Sequence, residues 1–124
     1  MKLPNQNSKK FNSSKSHRHY VIKNWISSLP AGSSFLDAGA GIMRYKKYCE
    51  HLDYISQDFG QYKGESSSLD EAWDSTKCDV ICDINDIPLK TASFDYILCS
   101  EVFEHLPRPD RALTELSRLL KPDG

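Results

Sequence analysis

No charge of one sign dominates this chain: 16 basic residues stand against 17 acidic ones over 124 positions, a formal net charge of -1. Without an excess of either sign, the composition does not indicate nucleic acid or an anionic membrane as the main partner. Nor is there a run of about 18 apolar residues, so no segment is long enough to span a bilayer as a helix. The opening MKLPNQNSKKFNSSKSHR lacks the apolar middle that a secretory signal needs. Together these absences lead to the expectation of a soluble, cytoplasmic protein. The cysteines are few, and they lack the spacing of a metal site. Cys78 and Cys82 are separated by three residues, and no second close Cys or His pair completes a tetrahedral zinc set. Three of the four lie in or beside apolar runs (CDVIC, YILC), as small buried hydrophobes do in a reducing compartment. Neither a metal nor a disulfide is expected of them, and no internal repeat is visible.

The apolar residues set the expected order of elements. Residues 1–15 are polar, rich in Asn, Ser and Lys, and are expected to form a flexible tail; residues 16–124 are expected to form one domain. In SHRHYVIKNWISSLP, Ile22, Trp25, Ile26 and Leu29 recur at i, i+3, i+4, i+7, predicting a helix that Ser16 caps and that Pro30 and Gly32 end. The period then changes. SSFLDAG predicts a short buried strand, GIMRYKKYCEHL a helix, DYISQDF a second strand, CDVICDI a third and FDYILCSEVF a fourth. GQYKGESSSLDEAWDSTK, polar and Gly/Ser-rich, predicts a loop in which Ser68 and Glu71 have capping-box spacing. The closing PRPDRALTELSRLLKPDG predicts a helix with Leu113, Leu116, Leu119 and Leu120 on one face, Pro109 in its first turn, and Pro122 and Gly124 beyond its end. Strands alternating with helices imply right-handed crossovers and a mainly parallel sheet covered on both faces, an α/β Rossmann-like fold.

The stretch FLDAGAGIM carries the first chemical signal. A tight strand-to-helix turn leaves backbone N–H groups unpaired, and glycines let that backbone approach a ligand closely. In a doubly wound sheet this is where a nucleotide-like molecule sits. A dinucleotide loop would need a glycine or alanine three positions after Gly41, where this chain has Arg44. The other ligand of this geometry is S-adenosylmethionine, whose cationic groups suit a carboxylate such as Asp37. Asp58, 19 residues after Gly39 and at the end of the second strand, is placed to accept the hydroxyls of a ribose. Asp83, ending the third strand, is placed to accept from an adenine amino group, with Ile84 to pack on the ring. Taken singly, each has a plain alternative as a cap or turn residue. Three strand-terminal aspartates in order on one sheet edge are harder to obtain by accident.

In that order, FLDAGAG, Asp58 and CDINDIPLKTASFDYILCSEVFEHLPRPDRALTELSRLLKPDG resemble the class I S-adenosylmethionine-dependent methyltransferases, and most of all the type 11 methyltransferase domain. The resemblance runs from about residue 33 to the end. It implies the N-terminal half of that fold, apparently cut short at the C-terminus, with S-adenosylmethionine as cofactor and a small molecule as methyl acceptor. It also implies that Asp37, Gly39 and Gly41 hold the methionine end, Asp58 the ribose, and Asp83 and Ile84 the adenine, with Ser100 and Glu101 lining the methyl-transfer mouth. The family loop usually carries a third glycine where this chain has Met43, a position expected to begin the helix.

Methyl transfer is an in-line displacement for which the enzyme supplies alignment, a dry site and, for a hydroxyl or ammonium acceptor, a base. His105 and Glu104 in EVFEHL are the candidate bases. Tyr45 and Trp25 could also pack at the mouth, though each reads more readily as a core or helix-face aromatic. Glu101, Glu104 and His105 also form E-x-x-E-H, as in metal-dependent RNA 2′-O-methyltransferases. Those carry a further downstream histidine that this chain does not have, so neither metal nor nucleic acid is expected. A non-catalytic cofactor-binding module is the third reading of the same residues.

Overall fold

The computed structural model describes residues 14–60, 63–64, 73–74 and 77–124. The elements run α1 (Ser14–Ser28), β1 (Ser34–Ala38), β2 (Asp53–Asp58), β3 (Lys63–Gly64), β4 (Trp73–Asp74), β5 (Val80–Ile81), β6 (Tyr96–Leu98) and α2 (Pro109–Leu119). Four strands form a parallel sheet in the order β5-β2-β1-β6, and β3 pairs antiparallel with β4. The chain steps outward from β1 to β2 to β5, then returns to the other side of β1 to lay down β6. The order therefore reverses beside β1, the switch point at which open α/β sheets form their ligand crevice.

Each face of the sheet is covered by one helix. Side chains alternate along β1. Phe35 joins Ile26 of α1 and Leu29 just beyond its end, with Cys49, Leu52 and Leu98. Leu36 and Ala38 join Ala112, Leu116 and Leu119 of α2, with Ile84, Ile87 and Phe94. Burial on both faces explains why FLDA reads as a continuous apolar run broken only by Asp37. Burying a side chain such as Phe35 or Leu36 stabilises by roughly 1.5–3 kcal/mol. Two matching clasps fasten the strands. Asp95 Oδ2 accepts from Ser34 N and Oγ at 2.9 and 3.0 Å, while Ser34 Oγ accepts from Asp95 N at 2.9 Å. Asp79 and Ser56 repeat the arrangement with distances of 2.9, 3.0 and 2.9 Å.

Several expectations are corrected. The segment after the glycine loop is not the helix predicted for GIMRYKKYCEHL: it is a series of turns with one 3₁₀ turn at Lys46–Tyr48. The cause is in the backbone, because Met43 takes φ 56° and so cannot continue or begin an α-helix. Leu113 is 59% exposed, not on the packed face. The buried stripe is Ala112, Leu116 and Leu119, and Leu120 leaves the helix to bridge Phe94. The third and fourth strands are shorter than predicted; β6 gives way to Glu101 at φ 58°. Helix α1 starts at Ser14, ahead of the predicted Ser16 cap. The Ser68–Glu71 box and residues 1–13 lie outside the described residues.

Arg118 has a role that periodicity does not show. It donates to the carbonyls of Ile87 at 2.9 Å and Leu89 at 3.0 Å and pairs with Glu115, whose Oε1 accepts from Ile87 N at 3.1 Å. These bonds fasten the segment after Asp83 to α2.

Candidate functional site

The carboxyl ends of β1, β2 and β6 converge at the switch point. Asp37, the fourth residue of β1, is 4% exposed. The Tyr54 hydroxyl donates to its Oδ2 at 2.7 Å from the neighbouring strand. Burial pushes the Asp37 carboxyl up to about 6, against the Tyr54 hydrogen bond, with the Asp58 charge adding to the rise. The loop beyond turns on Gly39 and Gly41 at φ 67° and 57°. A Cβ on Gly39 would lie 2.4 Å from Val102 Cγ2, so the absent side chain is what lets the segment after β6 close onto the loop.

Asp58, at the end of β2, is bound into the same loop. Its Oδ2 accepts from Gly41 N at 3.0 Å and its Oδ1 from Gly60 N at 3.0 Å. Each carboxylate oxygen has a further lone pair, so these bonds orient the group without exhausting it. Gln57, 1% exposed, accepts from Gly39 N at 3.1 Å and donates to the Cys82 carbonyl at 2.9 Å. It thereby ties the ends of β1 and β5 together. Sequence reasoning missed Gln57 and Tyr54. The available signal was a polar Gln inside an otherwise buried central strand, and an aromatic residue one strand away from the β1 aspartate.

Asp83 lies two residues past β5 and accepts from Asn85 N at 2.8 Å. Asn85 Oδ1 is buried and has no hydrogen-bond partner among the described residues. Ile84, at 6% exposure, belongs to the core on the α2 side. The exposed apolar groups on this edge are Phe59 at 56% and Ile81 at 48%. Phe59, directly after Asp58, is a third residue that the sequence reading passed over. Beyond β6, Ser100 is half-buried, and Glu101 pairs with Arg18 of α1 at 2.6 Å. Glu104 and His105 stand exposed, 3.9 Å apart. Trp25 packs against Phe35 and Tyr96 in the core on the α1 side, whereas Tyr45 stacks on His19. Among the described residues no group of three His, Cys, Asp or Glu side chains is placed to hold a metal ion, and no helix is long and apolar enough to cross a membrane.

A parallel sheet, a glycine turn at its switch point and carboxylates ending successive strands define a Rossmann-like nucleotide-binding fold. The methyltransferase domain family (type 11) matches residues 36–124, and the chain belongs to that family. Among solved structures it is similar to the [4+2]-cyclase SpnF, with TM-score 0.64 and 19% identity, over 90% of this chain and 44% of that one. It is also similar to an S-adenosylmethionine-dependent methyltransferase from Aquifex aeolicus, with TM-score 0.60 and 24% identity, over 98% and 69% of the two chains. A third is phosphoethanolamine N-methyltransferase 2 of Haemonchus contortus, bound to phosphomonomethylethanolamine and S-adenosylhomocysteine. Its TM-score is 0.59 at 20% identity, over 86% of this chain and 26% of that one. No curated protein matches the chain in sequence. At these identities the structural likeness speaks for the fold, and a shared fold does not fix a shared reaction. The chain spans less than half the length of the first of these structures. S-adenosylmethionine is the cofactor of this family.

Proposed function

We propose that this chain carries the cofactor half of an enzyme that transfers a methyl group from S-adenosylmethionine to a small-molecule acceptor. The observation that carries this reading is the convergence of Asp37, the Gly39–Gly41 turn and Asp58 at the β1 switch point, with Asp58 hydrogen-bonded to Gly41 N. The residues suit the cofactor's chemistry. Asp37 is a buried carboxylate that a cationic amino group would hold ionised, and the glycine turn gives backbone access to the methionine portion. Asp58 keeps free lone pairs for two ribose hydroxyls. Asp83 and Asn85 Oδ1, which lacks a partner among the described residues, offer acceptors to an exocyclic amino group, and Phe59, directly after Asp58, offers an exposed ring.

When bound, the cofactor supplies an activated methyl on a sulfonium. The chain's part is to orient it and to exclude water, with Ser100 and Glu101 at the mouth. Glu104 and His105 are the groups that would take a proton from a hydroxyl or ammonium acceptor, His105 through Nε2.

Calorimetric titration with S-adenosylmethionine and S-adenosylhomocysteine tests this. Asp58→Ala also removes the acceptor for two loop amides, so Asp58→Asn is the cleaner variant. Saturable binding by the wild type that weakens by about tenfold or more in Asp58→Asn supports the reading. Absence of binding by the folded wild-type chain overturns it.

A further inference from the structure

The near-zero net charge conceals a division. Of the 16 basic residues, nine lie within residues 1–48, where Asp37 is the sole acidic residue; the other seven share residues 49–124 with 16 acidic ones. Part of this basic half gathers on one surface. Helix α1 contains no Asp or Glu, nor does the segment Arg44–Tyr48 that packs beside it. His19 of α1 stacks on Tyr45 at 5.5 Å between ring centroids, and its Nε2 is 3.3 Å from the Tyr48 hydroxyl. Lys23 and Lys47 both lie over the Tyr48 ring, each 5.3 Å from its centroid, so two like charges are drawn to one aromatic ring. Burial pushes the Tyr45 hydroxyl up, Arg44 and then Arg18 pull it down, and Glu101 and Asp37 add to the rise. Arg44, Arg18, Glu101 and Asp37 all therefore lie within electrostatic reach of this hydroxyl.

The one acidic partner drawn onto this surface among the described residues is informative. Glu101 reaches Arg18 at 2.6 Å from a left-handed backbone, φ 58°, which a non-glycine residue adopts at a cost. Both side chains remain solvent-accessible, at 35% and 56%. An exposed pair of this kind adds little stability, so the strained carboxylate is poorly explained as a structural brace. It occupies the position of an anion at the mouth. A phosphate group, with close to two negative charges and three acceptor oxygens, matches several converging cations where one carboxylate would satisfy only one.

Resting on the methyltransferase reading above, we infer that the surface of Arg18, His19, Lys23, Arg44 and Lys47 receives the phosphate of a small phosphorylated acceptor, Arg18 exchanging Glu101 for it. The acceptor is held by its anionic end on α1 and the 44–48 segment while its nucleophile faces the mouth.

Pyrophosphate is the probe, titrated into the protein saturated with S-adenosylhomocysteine, so that the place of the cofactor's own carboxylate is already filled. Binding is expected to weaken with salt, and to fall about tenfold in Arg18→Gln and in the Arg44→Gln/Lys47→Gln pair. It is expected to tighten severalfold in Glu101→Gln, and to be unchanged in Lys90→Gln, outside the patch. No pyrophosphate binding by wild type, or binding indifferent to Arg18→Gln, overturns the inference. A uridine dodecamer that binds far more tightly than pyrophosphate through the same residues overturns it in favour of an RNA partner. The S-adenosylhomocysteine titration of each sample reports separately. Cofactor binding without pyrophosphate binding sinks only this inference, whereas no cofactor binding sinks the reading beneath it.

Discussion

Asp37 is a carboxylate with 4% exposure whose one side-chain donor among the described residues is the Tyr54 hydroxyl, and its folded value of about 6 stands above an ordinary 3.8. Between those values the folded chain keeps a proton that the unfolded chain has released. The contribution of Asp37 to stability therefore falls as pH rises through this window, and is lowest above about 6. The displacement of roughly two pH units corresponds to about 3 kcal/mol at neutral pH and above. Asp37→Asn removes the ionisation and leaves an acceptor for Tyr54. The variant is expected to be more stable than wild type by up to about 3 kcal/mol at pH 8, with the difference fading towards pH 4. Urea denaturation of both chains across this range isolates the effect, because every other titrating group cancels in the difference. The same ionisation sets ligand binding. A cationic amino group next to Asp37 needs the carboxylate charged, so wild-type affinity for S-adenosylhomocysteine should rise with pH through about 6 and that of Asp37→Asn should not. A stability difference independent of pH, or a wild type more stable than the variant at pH 8, would refute the reasoning.

The left-handed Met43 predicts an inverted order of glycine and alanine. Met43→Gly should be more stable than Met43→Ala by about 1 kcal/mol in chemical denaturation, whereas a helical position would favour alanine by a similar amount. Gly39→Ala combines a positive φ with a Cβ driven against Val102, and should cost about 2–4 kcal/mol; in a double-mutant cycle Val102→Ala should recover about 1 kcal/mol or more of it. Ser56 is fully buried and its hydroxyl both donates to Asp79 Oδ2 and accepts from Asp79 N, so Ser56→Ala removes two of the three clasp bonds and should cost about 1–3 kcal/mol in the same measurement.

Periodicity and end signals made the architecture readable: SSFLDAG read as a buried strand and DYISQDF as a second strand, and Pro109 with the spacing of Leu116 and Leu119 announced α2. Two errors share a cause. A helical pattern was visible after the glycine loop, but backbone handedness at Met43 has no hydrophobic period, and the family's missing third glycine was the sole warning. Leu113 was misplaced because the small Ala112 lets α2 approach the sheet, and an alanine carries little weight in a search for apolar bulk. The candidate aspartates were legible because strand ends expose them in order. Gln57 and Phe59 were not, since their roles depend on which strand lies beside which. The basic surface escaped notice for another reason: summing charge over the whole chain erased its segregation.

The paired serine–aspartate clasps give the sheet an alignment reference. A parallel strand that slips by one position turns its buried face outward, and its interior contacts then fail together. Ser34 and Asp95 fix where β6 starts along β1, and Ser56 and Asp79 fix where the chain enters β5 along β2. Asp37 follows Ser34 by three positions and Asp58 follows Ser56 by two, roughly 10 and 7 Å of extended chain. The distances between carboxylates at the crevice are thus gauged from anchors outside it. Loops at the crevice are free to change in sequence without disturbing that gauge, whereas an alteration at either serine would misalign a site it never touches.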